Sequence, residues 1–272
     1  MPSKDPALDA VVAWLAEEKR INAAAKTIRQ AINFVLDGQN TGRFKIAELD
    51  KLEKTFVGTK VEHYFLNNLG LPKASLGEMD TIIAGQKADV KFTLGNTWTI
   101  PPETIGNLAI LLSVNDNKSV FSMGVIRIAD DDLTSIAGKG NRDKKRGLKA
   151  RARDKKAVWL ARNKLFPEEY VNFLLHLLDD DRIAILSAGR AQARINELFR
   201  RVIDRRIHKT VLETISRQQE ARARARDAEK TLNCEGVFIF SYKENAKLCK
   251  MGFAPLPKDY WISKKLAPPD SQ

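Results

Sequence analysis

Asp80, Asp89 and Lys91 are the residues of this sequence whose types and spacing could do hydrolytic chemistry together. They lie on two β-type runs that flank Gly85-Gln86, and a two-residue turn with glycine first is what a type II′ hairpin requires. In that register Ala84 faces Lys87, Ile82 faces Asp89 and Asp80 faces Lys91. Side chains alternate along a strand, so Asp89 and Lys91 share one face while Val90 and Phe92 take the other. Two carboxylates and an ammonium then converge. Carboxylate oxygens suit a hard cation such as Mg2+, which keeps several waters and shares its remaining positions with phosphate oxygens. The lysine could orient an attacking water or stabilise a pentavalent transition state. The same three residues could also form a solvated cross-strand ion pair, which is common and mostly inert.

Longer stretches around the hairpin carry a family resemblance. Asp89-Val90-Lys91-Phe92-Thr93, Trp98-Thr99-Ile100-Pro101-Pro102-Glu103, Ile105-Gly106, the strand Ile110 to Val114 and Phe121-Ser122-Met123-Gly124-Val125-Ile126-Arg127 resemble the catalytic core of the NaeI family of type II restriction endonucleases. Upstream, Asp37-Gly38-Gln39-Asn40-Thr41-Gly42-Arg43-Phe44 and Lys60-Val61-Glu62-His63 resemble its N-terminal region, and Ala193-Arg194-Ile195-Asn196-Glu197-Leu198-Phe199 resembles the start of its second DNA-binding domain. The likeness covers nearly the whole chain in order. It implies that Glu62, Asp80, Asp89 and Lys91 are catalytic, with Asp80, Asp89 and Glu62 holding Mg2+. It further implies a C-terminal domain that binds another copy of the recognition site as effector, and a bacterial, cytoplasmic protein.

Bulk properties agree with a partner made of phosphates. The 272 residues carry a net charge of +12, and 43% hydrophobic content permits a real core. The charge is uneven: residues 1 to 138 hold 15 Lys and Arg against 17 Asp and Glu, residues 139 to 165 hold 12 against 2, and residues 190 to 230 hold 12 against 6. An acid-neutral front followed by basic blocks fits metal chemistry in one part and a grip on nucleic acid in another. A highly soluble basic protein of ribosomal type would show a similar total. Two cysteines, Cys234 and Cys249, and scattered His63, His176 and His208 make neither a disulfide framework nor a zinc site; both thiols are expected to be packed small side chains. No run is long and apolar enough for a membrane span, and the N-terminal apolar stretch is flanked by acids, unlike a signal peptide. The expected compartment is intracellular.

The elements that must position these residues follow from periodicity. Residues 5–36 repeat apolar side chains at helical spacing, as two helices or one broken one, with a scaffolding and dimer-packing role. Asp37 to Gly42 is turn chemistry, and Gln39, Asn40 and Arg43 are candidate DNA contacts on a loop beside the cleft. A short helix over 59–68 has Thr59 as N-cap and Gly70 as its stop, which puts Glu62 in the first turn, where an acid also merely complements the helix dipole. Leu108 to Val114 is apolar on both faces, as a central strand covered by helices must be, and Phe121 to Ile128 is its neighbour. These elements describe an α/β domain with a mixed sheet, similar to the restriction-endonuclease-like fold of PD-(D/E)XK type, over residues 1–162. Its basic stretch 138–156, with Lys144, Lys145 and Arg146, is expected to be a mobile loop that clasps DNA.

A second domain, residues 163–272, is expected to be helical with a β-wing. Helices are expected from Pro167 to Leu178, Arg190 to Ile203, Val211 to Gln218 and Ala221 to Lys230, then a strand from Gly236 to Tyr242 whose return is Ala246 to Met251. Helices followed by a wing resemble a winged helix-turn-helix, in which one helix reads the major groove. Arg217, Gln218, Gln219, Arg222, Arg224 and Arg226 are the candidate readers. The expectation is a Mg2+-dependent, site-specific endonuclease acting on double-stranded DNA as a homodimer, without a membrane partner. Two alternatives stay open: a mismatch or nicking endonuclease on the same fold, and a non-enzymatic winged-helix regulator.

Overall fold

In a computed structural model, residues 5–73, 79–135 and 143–266 are described. The chain divides into two compact units, one of Met1–Val35 with Leu49–Val171, the other of Leu36–Glu48 with Asn172–Gln272.

The first unit opens with α1 (Pro6–Leu15) and α2 (Glu18–Leu36). Asp5 caps α1 by accepting the Leu8 N–H at 3.0 Å, and Pro6 takes the first helical position, where its missing N–H costs nothing. The chain then passes into the second unit with a single turn, α3 (Gly38–Thr41), and returns as α4 (Lys51–Leu69). The helix expected over 59–68 is thus nearly twice that length: Asp50, nine residues upstream of Thr59, is the N-cap and forms a capping box with Glu53. Glu62 stands in its middle, where the dipole gives an acid no benefit. Gly70 ends the helix in the left-handed conformation, as expected.

Five strands follow in the order β1-β2-β4-β5-β7: β1 (Thr81–Ile83), β2 (Gln86–Thr93), β4 (Leu108–Asn115), β5 (Val120–Arg127) and β7 (Val158–Leu165). The β2–β4 pair is parallel and the others antiparallel, so the sheet is mixed. β3 (Thr99–Ile100) and β6 (Arg146–Gly147) pair separately. Central β4 is buried from Leu108 to Val114. Ala109 and Leu111 join Trp98, Ile100, Ile126, Ile128 and Leu148 on one face, and alternation sends Leu108, Ile110 and Leu112 to the other, where α1 and α4 pack. Each of these leucines and isoleucines stabilises the fold by about 1.5–3 kcal/mol through burial.

The basic stretch is built into this unit. Residues 138–142 lie outside the described residues; beyond them, β6 and α5 (Ala150–Lys155) give the chain regular structure, with Leu148 and Ala152 buried in the core. An apolar residue at each of these positions draws the segment inward against its charge. The expected boundary at 162/163 falls inside β7, whose ladder with β5 runs on until Leu165 pairs Val120.

In the second unit the elements are α6 (Asp179–Ser187), α7 (Ala191–Arg201), β8 (Ile207–His208), α8 (Lys209–Ser216), α9 (Ala221–Leu232), β9 (Val237–Ser241), α10 (Asn245–Lys250) and β10 (Tyr260–Lys265). Its sheet has the order β8-β10-β9, antiparallel throughout, over a core of Ile195, Leu198, Phe199, Leu212, Ile215, Ala225, Ala228 and Leu232. Two expected elements are replaced. After Pro167 only a 3-10 turn forms, Glu168–Tyr170, and the helix starts at Asp179, where three successive acids favour an N-terminus. Where a returning strand was expected over 246–251, the helix α10 (Asn245–Lys250) forms instead, because Ser241 and Glu244 form a capping box just ahead of it; the return strand is β10. Both cysteines are exposed, not packed, and free.

Candidate active site

The hairpin closes through Ala84-Gly85, not Gly85-Gln86. Both residues have positive φ, +49° and +75°, which is the type I′ pattern. Thr81 therefore pairs Ala88, Ile82 pairs Lys87 and Ile83 pairs Gln86. The pairings expected from a type II′ turn are each displaced by two residues, a shift that keeps every side chain on its expected face. Its consequence is chemical: one step beyond the last pair, Asp80 lies beside Asp89 rather than Lys91.

Hydrogen bonds fix both carboxylates. Past the end of β1 the Val90 N–H lacks a strand partner, and Asp80 Oδ2 accepts it at 2.7 Å. Asp89, 4% exposed, receives Lys91 Nζ at 2.8 Å on Oδ2, and the buried Thr104 hydroxyl donates to the same oxygen. Burial raises the Asp80 carboxyl to about 8, helped by the hydrogen bond and charge of neighbouring Asp89 and by the charge of Glu62, with only the Val90 N–H opposing. Burial pulls Asp89 the same way, but its bond with Asp80, the Lys91 charge and the Thr104 hydroxyl outweigh that and hold it below the usual carboxylate range.

Asp80, Asp89 and Lys91 are thus brought together. Glu62, half-buried on α4, reaches them only through its charge at Asp80; among the described residues no three acidic, His or Cys side chains form a ready metal cage. The pair by itself fits a hard divalent ion, because Mg2+ is commonly held by one or two carboxylates plus water and phosphate. An acid pushed up to about 8 beside another carboxylate marks negative charge that one lysine leaves uncompensated. Thr104 was not legible as a site residue; the Pro-Pro-Glu-Thr stretch that carries it was the available signal.

The expected DNA contacts divide between the units. Arg146 is held by Asp130 Oδ1 and the Thr134 carbonyl, both at 2.5 Å, and Lys145 pairs with Asp143 at 3.2 Å, while Lys144 is exposed. Gln39, Asn40 and Arg43 lie in the second unit, where α3 packs on α8. Asn40 donates to both Asp37 oxygens and Arg43 Nε to the Leu36 carbonyl at 3.2 Å. A Cβ on Gly38 would clash with Thr214 Oγ1 and stand 3.0 Å from the Arg43 carbonyl oxygen, so glycine there is what lets α3 close on α8. Arg217 caps α8, exposed Gln218 and Gln219 form the turn into α9, and Arg222 and Arg226 are exposed on α9. Arg224 is half-buried instead.

The mixed sheet thus sets an acidic pair and a lysine together at its hairpin. Residues 11–265 match the family model described as restriction endonuclease NaeI. The chain is 32% identical over 259 residues to the type II restriction enzyme NaeI of Lentzea aerocolonigenes, spanning 90% of this chain and 78% of that relative. The chain belongs to the NaeI family and is a type II restriction endonuclease, a site-specific deoxyribonuclease. Among the described residues no helix is long and apolar enough to cross a membrane.

Proposed function

We propose that the enzyme cleaves double-stranded DNA at the Asp80–Asp89–Lys91 site with Mg2+ as cofactor. The observation that carries this reading is the side-by-side placement of Asp80 and Asp89 with Lys91 on Asp89 Oδ2 at 2.8 Å. Asp80 and Asp89 would hold the ion, and Glu62 would add a third charge from α4. A divalent cation supplies charge against the scissile phosphate and lowers the pKa of water. Lys91 orients the water that attacks phosphorus in line and stabilises the pentavalent transition state. The P–O3′ bond breaks, and the 3′ oxygen takes up a proton, leaving a 5′ phosphate.

The second unit serves as a winged-helix domain that binds a further copy of the recognition site. Supporting this is its element order, helices α6 and α7, the short strand β8, the helix pair α8 and α9, then strands β9 and β10 paired as a wing with α10 between them, and Arg222 and Arg226 exposed on α9. The enzyme acts as a homodimer, since each chain carries one such site and a duplex has two strands. Plasmid digestion with Mg2+ or EDTA tests the whole reading: Asp89→Ala is expected to abolish cutting while leaving DNA binding nearly whole.

A further inference from the structure

The stretch Ile100-Pro101-Pro102-Glu103-Thr104 supplies no group to the reaction steps above, yet its backbone is closely fixed. Pro102 opens a 3-10 turn, Thr104 N–H donates to the Pro101 carbonyl at 3.2 Å, and the Asn107 N–H donates to the Thr104 carbonyl at 3.0 Å. Gly106, at φ +83°, then ties the segment to the Ile128 carbonyl at 2.7 Å. This turn drives Thr104 inward to 0% exposure, between exposed Glu103 and half-buried Ile105. A buried hydroxyl needs a partner, and the one it has is Oδ2 of Asp89, the oxygen that also takes Lys91 Nζ. Lysine by itself would hold that carboxylate through a flexible four-carbon stem. The threonine, short and anchored to a proline-started turn, adds a rigid second donor from another element.

We propose that Thr104 is a positioning residue for DNA cleavage: its hydroxyl locks the rotation of the Asp89 carboxylate and commits Oδ2, so that Oδ1 is presented to the divalent cation. The inference rests on the reading of Asp89 as a metal ligand. Donors behind ligating side chains are typically worth about 10- to 100-fold in metal affinity or activity. The proline pair and glycine around Thr104 thereby gain a role, since they hold a hydroxyl where a carboxylate requires one.

Thr104→Val and Thr104→Ser test this against a packing role. Valine keeps the volume and loses the donor; serine keeps the donor and loses a methyl. Positioning predicts that the serine enzyme stays within about 3-fold of wild type, while the valine enzyme loses about 10- to 100-fold in kcat and needs more Mg2+ for half-maximal rate. A second readout avoids turnover: Mn2+ bound to the protein, titrated by electron paramagnetic resonance, should weaken in the valine variant only. If valine reduces folding, Thr104→Ala against Thr104→Ser repeats the comparison with the methyl absent from both. Valine better than serine, or Mn2+ binding unchanged in valine, would overturn the proposal. Asp89→Asn serves as the control for its foundation: a variant that still cuts and still binds Mn2+ would remove the site itself, whatever Thr104 does.

Discussion

Asp80 Oδ2 accepts the backbone N–H of Val90 at 2.7 Å, so one acid both finishes the hairpin and faces the Asp89 carboxylate. The two roles separate in mutants. Asp80→Asn retains an acceptor for Val90 and is expected to fold like wild type while losing at least about 100-fold in cleavage, as the role proposed for Asp80 in holding the cation requires. Asp80→Ala should lose the same activity and in addition about 1–2 kcal/mol of stability, since the N–H is left unpaired. Thermal melts beside plasmid digests read the difference; equal stability of the two variants would count against the double role.

Gly124 on β5 lies under the ring of Trp159 on β7, where an added Cβ would approach ring carbon Cε3 to 2.8 Å. A rigid indole in a packed layer has little room to yield. Gly124→Ala is expected to cost about 1–3 kcal/mol, read by urea unfolding, and to leave the second unit's own transition in place.

Asp5 caps α1 and receives Arg127 Nε at 2.5 Å and Nη2 at 2.9 Å, tying the first helix to the end of β5. The arginine's hydrogen bond lowers the carboxyl to about 2 from an ordinary 3.8. A depressed acid stabilises the fold fully above pH 3.8, and that contribution disappears as pH falls through about 2. With both side chains partly exposed, solvent screening leaves about 1 kcal/mol. The stability difference between wild type and Asp5→Asn should therefore be flat above pH 5 and narrow steadily below 4.

On α9, Arg226 is exposed and Arg224 half-buried with its Nε enclosed and without a hydrogen-bond partner. Arg226→Ala is expected to weaken DNA binding and lower the salt slope by about 1 if it contacts a phosphate. Arg224→Ala should instead reduce the stability of the second unit by about 1 kcal/mol through lost packing of its stem. Binding measured from 50 to 200 mM salt, beside melts, separates the two.

Much of this was legible because it depends on period and chain order. The apolar run at β4, the Gly70 stop and the co-facial Asp89 and Lys91 follow from local rules, and the family from long matched segments. What failed depends on competing local signals. Gly85 served either turn type, and only an alanine accepting positive φ at position 84 fixed the register. Asp50 out-competed Thr59 as the cap of α4 because Glu53 completes its box. The docking of residues 36–48 on α8 was out of reach, since nothing in the turn chemistry of Asp37 to Gly42 says what it packs against.

On the proposed reading, the Asp80–Asp89 pair with Lys91 cuts DNA. The most direct test is digestion of one long plasmid by wild type, Asp89→Ala and Lys91→Ala, each with Mg2+ and with EDTA, followed by sequencing of fragment ends. Wild type with Mg2+ alone is expected to give discrete double-strand fragments sharing one short site, and both variants to leave intact plasmid that still shifts in mobility. Full cutting by Asp89→Ala, or by wild type in EDTA, would contradict that reading.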